Sequence, residues 1–139
     1  MKKRILLPLL FLLLLFPAFF CCGCKAEPGN MQKIKDLDFT VIDPDDAPQK
    51  LKDAMESRRE KGFKLTYLDN DSLYIARGYT RQPSAGYHIC VEQLYLTKNG
   101  IFFDACLYGP KQKDVISRTN VYPCIVVKLP RIEGIVIFN

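Results

Sequence analysis

Leu94-Tyr95-Leu96-Thr97-Lys98-Asn99-Gly100-Ile101-Phe102-Phe103-Asp104-Ala105 places two β-rich runs on either side of an Asn-Gly pair. Asn-Gly tolerates positive φ at both central positions of a type I′ turn, so the stretch predicts a tight β-hairpin. With Asn99 and Gly100 at the tip, Leu96 faces Phe103 and Leu94 faces Ala105. Successive side chains in a strand point to opposite faces. Ile101, Phe103, Ala105 and Leu107 therefore share a core face with Leu94 and Leu96, while Gln93, Tyr95, Phe102, Asp104 and Tyr108 take the other. The same alternation run back along the first strand puts Cys90 on the core face and Cys106 opposite, so that without a bulge they do not bond to each other.

β-Structure extends outward from this hairpin. On its N-terminal side, Phe63, Leu65 and Tyr67 alternate with Lys64 and Thr66, Asp69-Asn70-Asp71 turns the chain, and Leu73 to Tyr79 forms the next strand. On its C-terminal side, Gly109-Pro110 ends the ladder and a basic, polar stretch runs to Asn120. That stretch is long for a plain hairpin and reads as a binding loop or an irregular edge. Tyr122 to Leu129 and Ile135 to Phe138 are the closing strands, with Pro123 early in its strand as proline should be.

One helix precedes the strands. Asp45 and Asp46 suit a helix N-terminus, Pro48 a first turn, and Arg58, Arg59 and Lys61 the C-terminal end of the dipole. Leu51, Ala54 and Met55 form a single apolar stripe, and Gly62 is the expected stop. The helix is expected over about 48–61. Before it, Leu37 to Ile42 alternates as a first strand, with Leu37, Phe39 and Val41 on one side. The fold class is α+β: mostly antiparallel sheet, as a compact sandwich or partly open barrel, with one N-terminal helix.

The N-terminus reads as an address. Lys2, Lys3 and Arg4 precede an uncharged aliphatic run from Ile5 to Phe20, followed by Cys21-Cys22-Gly23-Cys24-Lys25. Residues 1–23 are read as a signal peptide, and Gly23-Cys24 resembles a bacterial lipobox with Cys24 as the lipidated residue. The rival readings are an uncleaved membrane anchor, for which the run is long enough, and simple secretion. All three put the remainder outside the cytoplasm by the positive-inside rule. Residues 24–36 are then the lipidated cysteine and a turn-rich tether, and 37–139 a single β-rich domain.

The chain carries 20 basic and 15 acidic residues; beyond residue 23 the balance falls to 17 against 15. The basic character therefore belongs largely to the signal, and the domain offers no case for nucleic acid. Cys90, Cys106 and Cys124 fit no zinc spacing, and His88 is the only histidine. They read as small buried hydrophobes. If one disulfide forms, the pattern favours Cys106–Cys124, since Cys124 shares a side with the outward Lys128. Ser84 lacks the Gly-x-Ser-x-Gly frame of a nucleophile elbow, the aspartates serve turns and a helix start, and no phosphate loop is present. Neither a metal, a cofactor nor an enzymatic activity is expected.

Thr80-Arg81-Gln82-Pro83-Ser84-Ala85-Gly86-Tyr87 resembles the Thr-Gly-Gly-Tyr turn of the protease complex subunit PrcB family, in its C-terminal domain. Ser84 and Ala85 stand in place of Thr and the first Gly, and Gly86-Tyr87 is retained. The resemblance continues through Gly109-Pro110, Tyr122-Pro123 and the closing strands, covering about 73–138. It implies a non-catalytic accessory or protein-binding subunit on a bacterial lipoprotein, held to the membrane by its N-terminal lipid. The implied partner is an envelope or secreted protein, a protease among the candidates. The contact residues expected are Arg81, Gln82, Ser84, Gly86 and Tyr87, with Lys111, Lys113 and Arg118. An alternative is a protease inhibitor, because Pro-Ser-Ala-Gly-Tyr is loosely similar to the Asn-Pro-Thr-Thr-Gly-Tyr loop of chagasin-type inhibitors.

Overall fold

Leu73-Tyr74-Ile75-Ala76 and Ile125-Val126-Val127 are apolar at every position rather than every second one. A strand with that composition must be covered on both faces, and the fold is built to do so. The structure, a computed structural model, describes residues 31–111 and 117–139. The expected signal peptide, Cys24 and Lys113 lie outside the described residues. Among the described residues, no helix is long and apolar enough to cross a membrane.

The strands are β1 (Lys33–Asp36), β2 (Thr40–Ile42), β3 (Phe63–Leu68), β4 (Ser72–Gly78), β5 (His88–Thr97), β6 (Gly100–Tyr108), β7 (Cys124–Pro130) and β8 (Val136–Phe138). They form two four-stranded sheets, in the orders β1-β5-β6-β8 and β2-β7-β4-β3. Pairing is antiparallel throughout except for β8, which runs parallel to β6. Helix α1 (Gln49–Arg58) follows a 3-10 turn at Pro44–Asp46 and continues into another at Arg59–Lys61.

Two cores result. Leu73, Ile75, Ile125, Val127 and Leu129 from one sheet meet Leu94, Ile101, Phe103 and Ala105 from the other. The reverse face of β4 and β7, with Tyr74, Ala76 and Val126, packs with Phe63 against Leu51 and Met55 of α1 and Ala47 before it. The architecture is therefore a sandwich of two open sheets with a helix laid on the outside of one, and neither sheet closes into a barrel. The helical stripe is the expected one, although Ala54 is only half-buried. Gly62 stops the helical segment at φ +72°.

The hairpin forms with a different tip. Thr97 pairs with Gly100, Leu96 with Ile101 and Leu94 with Phe103, which puts Lys98 and Asn99 at the turn. No described non-glycine residue has positive φ, so Asn99 does not take the type I′ geometry. Thr97 decides the matter. Its buried hydroxyl accepts the backbone N–H groups of Asn99 and Gly100 at 3.1 Å each and donates to the Gly100 carbonyl at 2.9 Å. The partners move by two positions, so each side chain keeps its face, and the expected core face stands near the tip.

Farther along, a bulge between Val91 and Gln93 resets the alternation. Ile89 and Val91 turn toward the core and Cys90 turns out, against the expectation that Cys90 faces inward. Cys106 and Cys124 stand in different sheets and do not pair. All three described thiols are free.

The N-terminal expectations also change. Lys33–Asp36, assigned to the tether, pairs along β5 as an edge strand. Of Leu37–Ile42, only Thr40–Ile42 is strand, and Phe39 and Val41 are exposed. Leu37 instead donates its backbone N–H to Leu94 and its side chain packs against the inter-sheet core, while Ile42 packs on the helix side. This short segment passes from one sheet to the other, which breaks a single alternation.

Two substitutions test this account. Phe103 is 1% exposed at the centre of the inter-sheet core, and Phe103→Ala should lower unfolding stability by ~3–5 kcal/mol. Gly100 has φ +147°, and a Cβ there would lie 2.4 Å from the Ile135 carbonyl oxygen. Gly100→Ala should destabilise by ~1–3 kcal/mol. Urea denaturation midpoints measure both.

Candidate functional site

Both connections between the two sheets from β4 to β5 and from β6 to β7 leave the sandwich at the same end, because β4 pairs with β7 and β5 with β6. The loops run over residues 79–87 and 109–123, and they are joined. Beyond the Gly78–Cys124 pair, the Tyr79 N–H donates to the Pro123 carbonyl at 2.9 Å. Gln82 and Val121 exchange both backbone bonds, at 2.8 and 3.0 Å. The Ala85 N–H donates to the Ser117 carbonyl at 3.1 Å. The β4–β7 ladder thus continues outward as an irregular two-stranded arm. Sequence placed the two sets of basic and polar residues on separate loops; the structure brings them together.

On this arm Arg81, Lys111 and Arg118 are exposed, and Gln82, Ser84 and Tyr87 are half-buried. The Gln82 side-chain amide donates to the Thr80 carbonyl at 3.0 Å, tightening the first bend. Gly86 sits at φ +100°, which only glycine adopts readily. The Tyr87 ring lies against Gly109, where a Cβ would come within 3.3 Å of it. Gly86 and Tyr87 therefore shape the corner, and Arg81, Arg118, Gln82 and Ser84 stand beside it on the arm. The described arm, residues 80–87, 109–111 and 117–122, contains three cations and no carboxylate.

Four side chains at the base of the arm were missed as site residues in the sequence. The Tyr79 hydroxyl donates to the Ala105 carbonyl on β6, bridging the two sheets, and Arg77 covers its ring with Cζ 4.8 Å from the centroid. Tyr122 is covered by Arg59 at the same distance. A groove of about 420 Å³ opens here, lined by Met55, Arg59, Phe63, Tyr79, Tyr122 and Cys124 among others. Burial pushes the Cys124 thiol up, opposed by Arg59 and helped by Asp43 and Asp45. Aromatic residues at both ends of the loops, Tyr79 and Tyr122, were the available signal.

Beneath the arm, the outer face of β5–β6 carries His88 stacked on Tyr108, with centroids 5.5 Å apart. His88 is thus engaged by an aromatic ring rather than by Ser84. The Tyr108 hydroxyl donates to Glu92 at 2.7 Å. Among the described residues, no group of three or more His, Cys, Asp or Glu side chains could hold a metal ion.

The fold and this surface define a small helix-backed β-sandwich domain with a loop-built arm at one end. No curated protein and no solved structure matches the chain. Residues 73–130 match the family model described as PrcB C-terminal, so this part of the chain is similar to that family. The matched span runs from β4 to the end of β7 and includes the whole arm; α1, β3 and β8 lie outside it.

The Tyr108–Glu92 contact has a pH signature. The hydrogen bond, then the Glu92 charge, then burial push the phenol up to about 12, whereas an unfolded tyrosine ionises near ~10. The folded state holds the proton more tightly, so this contact stabilises fully below pH ~10 and its contribution is lost as pH rises toward 12. In an ultraviolet titration read as wild type minus Tyr108→Phe, Tyr108 should ionise near 12. Glu92→Ala should return it toward ~10.

Proposed function

We propose that this chain is a non-catalytic, protein-binding accessory subunit of a surface protease complex, and that the arm is its contact surface. The observation that carries this reading is the joining of the two loops into one hydrogen-bonded arm on which Arg81 and Arg118 are exposed. Such a surface favours an acidic segment of a partner and would steer its approach. The PrcB C-terminal match supports a protease-associated role, because it spans the arm from end to end. The basic, apolar and Gly-Cys pattern of the first 24 residues supports display outside the cytoplasm on a bacterial membrane through a lipid on Cys24.

The full chain in detergent, used as bait against envelope and secreted fractions, tests this against an Arg81→Glu/Arg118→Glu variant. Both positions are exposed, so the variant should fold. The expected outcome is recovery of a protease that stays active when bound and is recovered at least about tenfold less well by the variant. A protease that is captured but silenced would replace this reading with inhibition. Equal recovery by both baits would remove the arm from the interface.

A further inference from the structure

We propose that Cys90 and Cys106 form a disulfide site that closes across the β5–β6 hairpin when the protein meets a low-molecular-weight disulfide. The inference rests on register and is independent of what the arm binds. The bulge at Glu92 makes Cys90 and Cys106 direct partners, with Val91–Ala105 and Ile89–Leu107 on either side. Without the bulge the two residues would lie on opposite faces. With it they share the outer face of the sheet, Cys90 exposed and Cys106 half-buried.

Directly opposed residues in an antiparallel pair have Cα atoms about 4.5 or 5.5 Å apart, depending on the hydrogen-bonding position. Both values fall inside the range a disulfide spans, about 4.4–6.8 Å. Closure therefore needs side-chain rotation and a small approach of the strands, since opposed Cβ atoms lie about 4.5–5.5 Å apart and a disulfide holds them at about 3.5–4.5 Å. Cys124 is the internal contrast: it sits opposite Gly78 in the other sheet, in the groove beside α1.

The exposure difference orders the chemistry. The Cys90 sulfur attacks the external disulfide, forming a mixed disulfide and releasing one external thiol. The Cys106 sulfur then attacks the Cys90 sulfur, the second external thiol leaves, and the protein disulfide is complete. Two protein thiols are oxidised, one external disulfide is reduced to two thiols, and both protons end on the released thiols. Burial, Asp104, Glu92 and Cys90 hold the Cys106 thiol above its ordinary range, which suits it to the second role, where attack is intramolecular. His88 and Tyr108, two pairs toward the arm, stack on the same face. The closed bond would therefore clamp the hairpin two pairs below the last pair before both loops begin.

The sequence makes the test direct. Lys98 is the one trypsin site between the two cysteines, so residues 82–98 carry Cys90 and residues 99–111 carry Cys106. Cys124 falls in 119–128, and the three N-terminal cysteines fall before the cut at Lys25. The full chain in detergent is incubated with oxidised glutathione, alkylated without reduction and digested. The expected result is peptide 82–98 joined to 99–111, with loss of both thiols from alkylation while Cys124 stays reactive. Cys106→Ser should stop at a glutathione adduct on Cys90, and Cys124→Ser should close like wild type. Wild-type protein that retains a free thiol or glutathione adduct at Cys90 without the linked peptide would overturn the proposal. So would a link from Cys90 or Cys106 to Cys124. Because the decisive reading is on wild-type protein, it does not depend on a variant folding.

Discussion

β4 and β7 bury both of their faces, and the rest of the structure follows from that requirement. Leu73, Ile75, Ile125 and Val127 must be met by one layer, and Tyr74, Ala76 and Val126 by another. The β5–β6 hairpin supplies the first layer through Phe103, Ile101 and Leu94. Helix α1 supplies the second through Leu51 and Met55. Removing either layer would expose a row of large apolar side chains on strands that have no polar face to turn outward. A three-layer arrangement in about a hundred residues is how a chain of this size hides two unbroken apolar strands.

The arm inherits its position from the same pair. It grows from the ends of β4 and β7, so its base is as rigid as the centre of the molecule. Its hydrogen bonds thin out with distance, from the complete ladder below Gly78 to the single contact between Ala85 and Ser117. Tyr79 tightens the base by tying this sheet to the carbonyl of Ala105 in the other.

Much of the fold was legible. The continuous apolar runs, the helix stripe, Gly62 and the β3–β4 turn all express local rules, and local rules survive in the assembled molecule. Three features escaped, each for its own reason. The Glu92 bulge is visible only when Ile89 and Val91 are seen to point the same way as Leu94 and Leu96, which no strict alternation allows. The hairpin tip moved because one buried hydroxyl, Thr97, offered the turn three hydrogen bonds, and turn propensity for Asn-Gly did not outweigh them. β1 looked like tether because Lys33, Lys35 and Asp36 are charged, yet charge is what an exposed edge strand carries to discourage further pairing. The loop residues singled out in the sequence converge on one arm through the Gln82–Val121 bridge, which no short motif announces.

The parallel pairing of β8 with β6 has a kinetic consequence. β8 pairs with residues 35 positions earlier in the chain, and β2 meets β7 from nearly the opposite end of the domain. Contacts of such long separation slow folding to the millisecond-to-second range for domains of this type. Until residues 136–139 are available, the β6 edge has no cover, and the Phe103 ring lacks the edge-on Phe138 ring that packs 5.6 Å from it. A chain emerging from its N-terminus would hold an unfinished sheet until β8 had been made.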